Sequence, residues 1–162
     1  MAVSTENQFV TLSLGDEIFA VNVSYVREIL DYQAPFVIPD GPSYLLGLTD
    51  VRGRATPTLD LRLKLGLPHA EPTATTRILV LDVPLADRVL SLGLVADRVI
   101  EVASFAADQI ETAPDIGVPW RSDYIQGVVR RESTSGKGGF VVIFALERLL
   151  TSQDAAALSQ AA

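Results

Sequence analysis

The side chains that could do covalent or acid–base chemistry are few, and their spacing does not suit it. The one histidine, His69, lies in a stretch bounded by Pro68 and Pro72, and there is no cysteine and no second histidine to share a metal ion with it. It reads as a surface residue. A serine triad would need His69 to reach a core it stands outside, and no G-x-S-x-G run is present to raise a nucleophile on a strand–helix turn. Of the lysines, Lys64 and Lys137, the second sits among glycines where nothing would desolvate it and lower its pKa, so Schiff-base chemistry has no support. Gly136-Lys137-Gly138-Gly139 lacks the Ser/Thr ending and the following helix of a phosphate loop. The 20 Asp and Glu residues make chance carboxylate pairs easy, and a solvated acidic surface accounts for them. The expectation is no catalytic residue, no metal site and no cofactor.

Charge removes a further class of function. The net charge is -7, and the best basic clusters are broken by acids, Arg130 and Arg131 by Glu132, Arg52 and Arg54 by Asp50. A nucleic acid would be repelled by that average. No apolar run reaches the roughly 18 residues that span a bilayer, and residues 1–7 carry no basic-then-apolar signal, so neither membrane insertion nor export is expected. The absence of cysteine suits a reducing, cytoplasmic setting. A chain of 162 residues that is 48% hydrophobic can build one compact core, or two small units that share one.

The elements that would position any functional residue are mostly strands. Residues 8–14 and 18–23 alternate in polarity around Gly15-Asp16, which predicts a hairpin with Gly15 supplying a positive φ. Ser24 stands as an N-cap before Tyr25-Val26-Arg27-Glu28-Ile29-Leu30, where Val26, Ile29 and Leu30 share one helical face, so a short helix is expected. Pro35, Pro39 and Pro42 mark an extended loop. Strands follow at 44–51 and 54–59, with a sharp turn at Gly53, and Pro57 suggests an edge or a bulge. Asp60 then caps a short helix that ends at Gly66, and 67–76 reads as a linker. A second hairpin is expected from 77–83 and 89–95, followed by a strand at 99–102. After a loop marked by Pro114 and Pro119 come strands at 124–130 and 140–145, separated by a Ser/Gly-rich loop.

Two matches suggest that one plan is used twice. Tyr44-Leu45-Leu46-Gly47-Leu48 corresponds to Tyr124-Ile125-Gln126-Gly127-Val128, 80 residues on, and Val26-Arg27-Glu28-Ile29 corresponds to Val99-Ile100-Glu101-Val102. The expected fold class is therefore all-β with short helices, as two five-stranded SH3-like or OB-like barrels packed together. The first seven residues would be a flexible N-terminus. Residues 8–150 would form a single domain of two pseudo-repeated barrels, approximately 8–70 and 76–150, with strands free to exchange between them, and 151–162 a helical tail.

The most informative run is Gly47-Leu48-Thr49-Asp50-Val51-Arg52-Gly53, followed by Pro57-Thr58-Leu59-Asp60-Leu61-Arg62. It resembles the pattern G-x-x-N-[LV]-R-G then P-x-[IVL]-D-L-R of the CheW family of chemotaxis coupling proteins. Further signals fall in order: Leu14-Gly15-Asp16-Glu17, Val26-x-Glu28-Ile29, Thr76-Arg77, and Gly93-Leu94-Val95-Ala96-Asp97-x-Val99. The resemblance covers roughly 8–150. It implies an adaptor, recruited to receptor arrays at the membrane, that joins the regulatory domain of a CheA-type histidine kinase to the cytoplasmic hairpin of chemoreceptors.

By motif, the resemblance places Val26, Glu28, Ile29, Gly47, Arg52, Val95, Asp97 and Val99 in or beside the receptor groove, with Glu28 and Arg52 as a bridging pair. Gly53 and Gly127 would be structural turns. Asp50 stands where the family has asparagine, and it could compete with Glu28 for Arg52. The rival reading is a small-ligand binder or hydrolase using the cleft between barrels, supported only by scattered acids and apolar loops. An OB-like nucleic-acid binder ranks last, for want of positive charge.

Overall fold

The computed structural model describes residues 7–39, 41, 43–65, 67–86, 88–112, 125–131 and 139–149. Residues 1–6, Gly66, the loop with Pro114 and Pro119, Tyr124, the loop 132–138 and the tail 151–162 lie outside the described residues.

The chain opens with the expected hairpin. β1 (Gln8–Leu14) pairs antiparallel with β2 (Glu17–Asn22) around Gly15, whose φ is 62°. Next the structure departs from the helix expected over 24–30. The Asn22 side chain, rather than that of Ser24, caps a single 3-10 turn (Val23–Tyr25) by accepting from the Ser24 N–H at 2.9 Å. The chain then runs extended as β3 (Val26–Asp31).

The reason is a bulge. Val26 pairs with Leu81 and Glu28 with Val80, which leaves Arg27 as an extra residue. Cross-strand partners share a face, so Val26 and Ile29, opposite Leu81 and Leu79, point to the same side. An apolar i, i+3 spacing that helical period would explain is here produced by a bulged strand.

β4 (Leu45–Val51) and β5 (Arg54–Asp60) form the next hairpin, and the five-residue helix α1 (Leu61–Leu65) follows, capped as expected by Asp60, which accepts from the Arg62 N–H at 2.9 Å. Residues 67–76 are irregular, as a linker should be. β6 (Arg77–Pro84) and β7 (Val89–Ala96) make the second long hairpin, and β8 (Arg98–Ser104) follows after Asp97 alone. The short β9 (Ile110–Glu111), then β10 (Ile125–Arg131), β11 (Gly139–Phe144) and α2 (Leu146–Leu149) complete the described chain.

These strands form two sheets of order β8-β1-β2-β11-β10-β9 and β3-β6-β7-β5-β4. Each draws strands from both halves of the chain, because β3 leaves the sheet of β1 and β2, and β8 leaves the sheet of β6 and β7. Five strands of the first correspond in order to the five of the second, including one parallel pair in each, β2 with β11 and β7 with β5, and the sixth, β9, is answered only by the isolated bridge of Phe36 to Leu48. The bulges correspond too. Arg27 and Ile100 are the unpaired residues of β3 and β8, Leu46 and Gln126 those of β4 and β10, and in each pair they occupy matching positions of the repeated segments.

One core lies between the sheets. Val10, Leu12 and Leu14 of β1, Phe19 and Val21 of β2, Leu79, Leu81 and Val83 of β6, and Leu90, Leu92 and Leu94 of β7 are all buried in it, with Leu61 and Leu146 closing it from the two helices. Phe19 and Phe144 stack with ring centroids 4.9 Å apart. A second cluster, Phe9, Ala20, Val129, Val141 and Ile143, fills the other face of the first sheet. Strands β1 and β6 are thus buried on both sides, which a clean alternation would not give.

The all-β class with short helices holds, as two packed sheets. No backbone ladder among the described residues closes either sheet into a ring. Pro57 is neither on an edge strand nor the bulged residue: β5 is an inner strand, and Pro57 stands just ahead of its parallel pairing to β7, which begins at Thr58, so no ladder bond to β7 is lost.

Candidate functional site

β3 and β4 are opposite edges of a five-stranded sheet, and in a flat sheet they would lie about 19 Å apart, four spacings of about 4.8 Å. Yet the Arg52 Nε, in the turn after β4, donates to Glu28 Oε2 of β3 at 3.0 Å. The sheet is therefore rolled until its edges approach, and a guanidinium–carboxylate pair spans the seam that backbone bonds leave open. The Glu28 side chain is 18% exposed and that of Arg52 80%, so the acid is the held partner and the arginine the outward one. The bond and charge of Glu28 push the guanidinium above its usual pKa, so it stays charged.

The turn itself explains how Arg52 gets there. Arg52 and Gly53 both have positive φ, 52° and 82°, the twist that joins antiparallel strands through two residues. Gly53 N donates to Asp50 Oδ1 at 2.9 Å. Asp50 thus engages the turn backbone, and its carboxylate supports the presentation of Arg52 while Glu28 takes the guanidinium.

The bulges arrange the apolar residues. Val26 and Ile29 of β3 face the side of Leu81 and Leu79, and Val99 and Val102 of β8 face the side of Leu12 and Val10, so both pairs turn toward the inter-sheet core. Val26 and Val99 pack against that core, whereas Ile29 is 43% and Val102 59% exposed at the strands' far ends. On the core-facing side each of these strands therefore presents one anchored and one free apolar side chain, and β8 also exposes Ile100 at its bulge. Val102 was missing from the sequence-derived set, although the match of Val26-Arg27-Glu28-Ile29 to Val99-Ile100-Glu101-Val102 carries it: Val102 is the partner of Ile29.

Other expected residues do different work. Val95 points to the opposite face of β7 from Leu92, Leu94 and Ala96, away from the inter-sheet core. Gly47 is buried beneath the backbone of Phe36, which bridges β4 through Phe36 N–H to Leu48 O at 2.7 Å and the return bond at 2.8 Å. A Cβ on Gly47 would stand 2.1 Å from the Phe36 carbonyl oxygen, and its φ is 151°. It is a backbone device. Gly127 is another, but it lies inside β10, not in a turn, and a Cβ there would meet Ile110 Cγ2 at 2.6 Å.

Asp97 is turned inward. Its carboxylate takes both Arg62 guanidinium nitrogens and the Gly15 N–H, the last at 2.7 Å, while its own N–H bonds Ser13 O at 3.0 Å. The hydrogen bond from Arg62 holds the Asp97 carboxyl below the usual carboxylate range, reinforced by the Gly15 N–H. Arg62, 8% exposed at its side chain, was not singled out from the sequence, yet it ends the D-L-R motif just as Asp97 ends G-L-V-A-D. Those two motifs, from different halves of the chain, meet in this one ion pair.

Among the described residues no group of His, Cys, Asp and Glu could hold a metal ion, and no helix is long and apolar enough to cross a membrane. The candidate residues are apolar ends on two edge strands, one in each sheet, and a charged seam. Exposed apolar side chains beside charged groups suit protein docking better than catalysis.

Comparison with known proteins gives the chain a family. Residues 8–154 match the CheW-like domain. The chemotaxis protein CheW of Rhizobium meliloti is 29% identical over 147 residues, 91% of this chain and 89% of that one. The chemotaxis protein CheW of Bacillus subtilis is 30% identical over 132 residues, 81% of each. In fold, the crystal structure of the scaffolding protein TtCheW from Thermoanaerobacter tengcongensis is similar with a TM-score of 0.77 at 21% identity, over 91% of this chain and 90% of that one. This chain belongs to the CheW-like domain family.

Proposed function

We propose that this chain links the cytoplasmic hairpin of a chemoreceptor to the regulatory domain of a CheA-type histidine kinase. It works in the cytoplasm, is recruited to receptor arrays at the membrane, and has no turnover of its own. The observation that carries the receptor side is the pair of half-free apolar residues, Ile29 and Val102, on edge strands whose other ends are anchored in the core. An amphipathic helical hairpin presents apolar side chains at i, i+3 and i+4, and rigid apolar anchors with a charged rim are what such a surface docks on. Arg52, outward and permanently charged, supplies that rim.

The kinase and the receptor engage separate surfaces, so the complex is ternary. The test is to titrate the purified chain against a soluble receptor hairpin and against the kinase regulatory domain, separately and together. The expected result is binding to each, with neither displacing the other. Failure to bind either one, or competition between them, would reject the reading.

A further inference from the structure

The correspondence between the two sheets extends to how their crossovers are fastened. The chain passes from the first sheet to the second through Val23–Tyr25 and returns through Asp97. Each passage leaves a strand that lies parallel to an inner partner, β2 beside β11 and β7 beside β5. Each inner partner ends in a short helix, whose first residue, Leu146 or Leu61, is buried in the common core. The second residue of each helix then reaches the crossover. From α1, Arg62 takes Asp97; from α2, Glu147 Oε1 accepts from the Tyr25 hydroxyl at 2.7 Å, between residues 122 apart in sequence.

From this matched geometry we infer that Tyr25 and Glu147 are positioning residues, a latch that fixes the start of β3, where Val26 is anchored in the core, and so sets how Ile29 is offered to the receptor hairpin, as Arg62 and Asp97 do for β8 and Val102. The inference rests on the docking role proposed above. Tyr25 immediately precedes Val26, and the bulge at Arg27 leaves one backbone pairing, Val26 with Leu81, between the crossover and the register shift. A strand start held by so little ladder needs a second tie. Arg27 supports the next step by pairing with Asp82 at 2.7 Å, and Asp82 is held in turn by Ser91 Oγ at 2.6 Å. Of the two latches, the one at β8 is the stronger, because it joins two full charges with one of them nearly buried, whereas the one at β3 is a phenol–carboxylate bond near solvent.

The latch has its own spectroscopic signature. Burial, with the bond and charge of Glu147, pushes the Tyr25 hydroxyl up to about 12. The chain has 4 tyrosines, and one phenolate should appear late in an alkaline absorbance titration.

The experiment uses the full chain with Tyr25→Phe, Glu147→Ala, Glu147→Gln and the double variant Tyr25→Phe/Glu147→Ala. Affinity is measured for a soluble chemoreceptor hairpin and, separately, for the kinase regulatory domain. Losing one hydrogen bond that orders the strand should weaken hairpin binding about fivefold. Tyr25→Phe and Glu147→Ala should both show this, with kinase-domain binding unchanged. Glu147→Gln, which keeps an acceptor, should bind the hairpin like the parent. The double variant should be no worse than either single one, since the two groups act as one contact. The late phenolate should vanish in Tyr25→Phe and move earlier in Glu147→Ala.

Parent-like hairpin binding by both single loss variants would overturn the latch while leaving the docking role intact. Additive losses would overturn it too, because they would mean that each side chain touches the receptor itself. A parent protein that binds no hairpin would reject the docking role and this inference with it.

Discussion

At the residue scale, the family motif separates into residues that build the fold and residues that face outward. Arg62 and Asp97 build. Removing Asp97 leaves the nearly buried Arg62 guanidinium without its counter-ion, so Asp97→Asn should lower unfolding free energy by about 3 kcal/mol, measured in urea, and Arg62→Ala, which leaves a partly solvated carboxylate that keeps the Gly15 N–H, should cost less. The pH dependence has a definite sign. Asp97 is depressed in the folded state, so its contribution is present above the ordinary carboxylate range near pH 4 and is lost as pH falls through the lower folded value. Urea midpoints of the parent should drop below about pH 4, and those of Asp97→Asn should drop less. Gly47 also builds. Gly47→Ala places a methyl group against the Phe36 carbonyl and should cost about 2 kcal/mol, whereas Gly53→Ala, with nothing within 4 Å of its Cβ, should cost only the strain of positive φ, about 1 kcal/mol.

Much of this was legible in the sequence only as pattern. The motif marked Gly47, Arg52 and Asp97, and the resemblance paired Arg52 with Glu28, but neither showed that Gly47 lies under a backbone, that the Arg52 pair spans the open edges of a sheet, or that Asp97 is held by a nearly buried arginine. Those roles depend on which distant residues the fold brings near, and Phe36, Glu28 and Arg62 are not adjacent in any local pattern.

At the element scale, hairpins and turns were readable because their signals are local: Gly15, Gly53 and the Asp60 cap stand where their residue types predict. The failure at 24–30 is instructive for the same reason. Val26 and Ile29 share a face across a bulge, and a single bulge shifts a two-residue alternation into an i, i+3 spacing that imitates a helix. Residues 99–102 carry the same bulge, and there the β-branched run Val99-Ile100 still read as a strand. Since Ile29 and Val102 project from the free ends of β3 and β8, Ile29→Glu and Val102→Glu should melt within a few degrees of the parent, a change of about 0.5 kcal/mol or less. Both should lose receptor-hairpin binding. Val99→Glu, which would thrust a charge against the core, should instead destabilise the fold by several kcal/mol, as thermal melting would show.

At the scale of the whole molecule, the common core and the exchange of β3 and β8 make the two sheets interdependent. Unfolding followed by circular dichroism and by tyrosine fluorescence should give one coincident transition, and fragments 1–72 and 73–162 should each be unfolded alone. The repeat that suggests this was visible in short matches 73 and 80 residues apart, and exchange of strands was allowed for, but which strands exchange was not visible, because a strand's own sequence does not say which sheet receives it. The result is a rigid body with its seam and its apolar strand ends held at fixed positions, as an adaptor requires if docking is not to spend free energy on ordering the dock.

The most direct trial of that account is kinase autophosphorylation in a reconstituted mixture of receptor-bearing membranes, a CheA-type kinase and either the parent chain or Arg52→Glu. The parent should raise phosphate incorporation, and Arg52→Glu, which sets a second carboxylate against Glu28 across the seam, should leave it at the level seen without adaptor while melting as a folded monomer. Full activation by Arg52→Glu, or none by the parent, would contradict it.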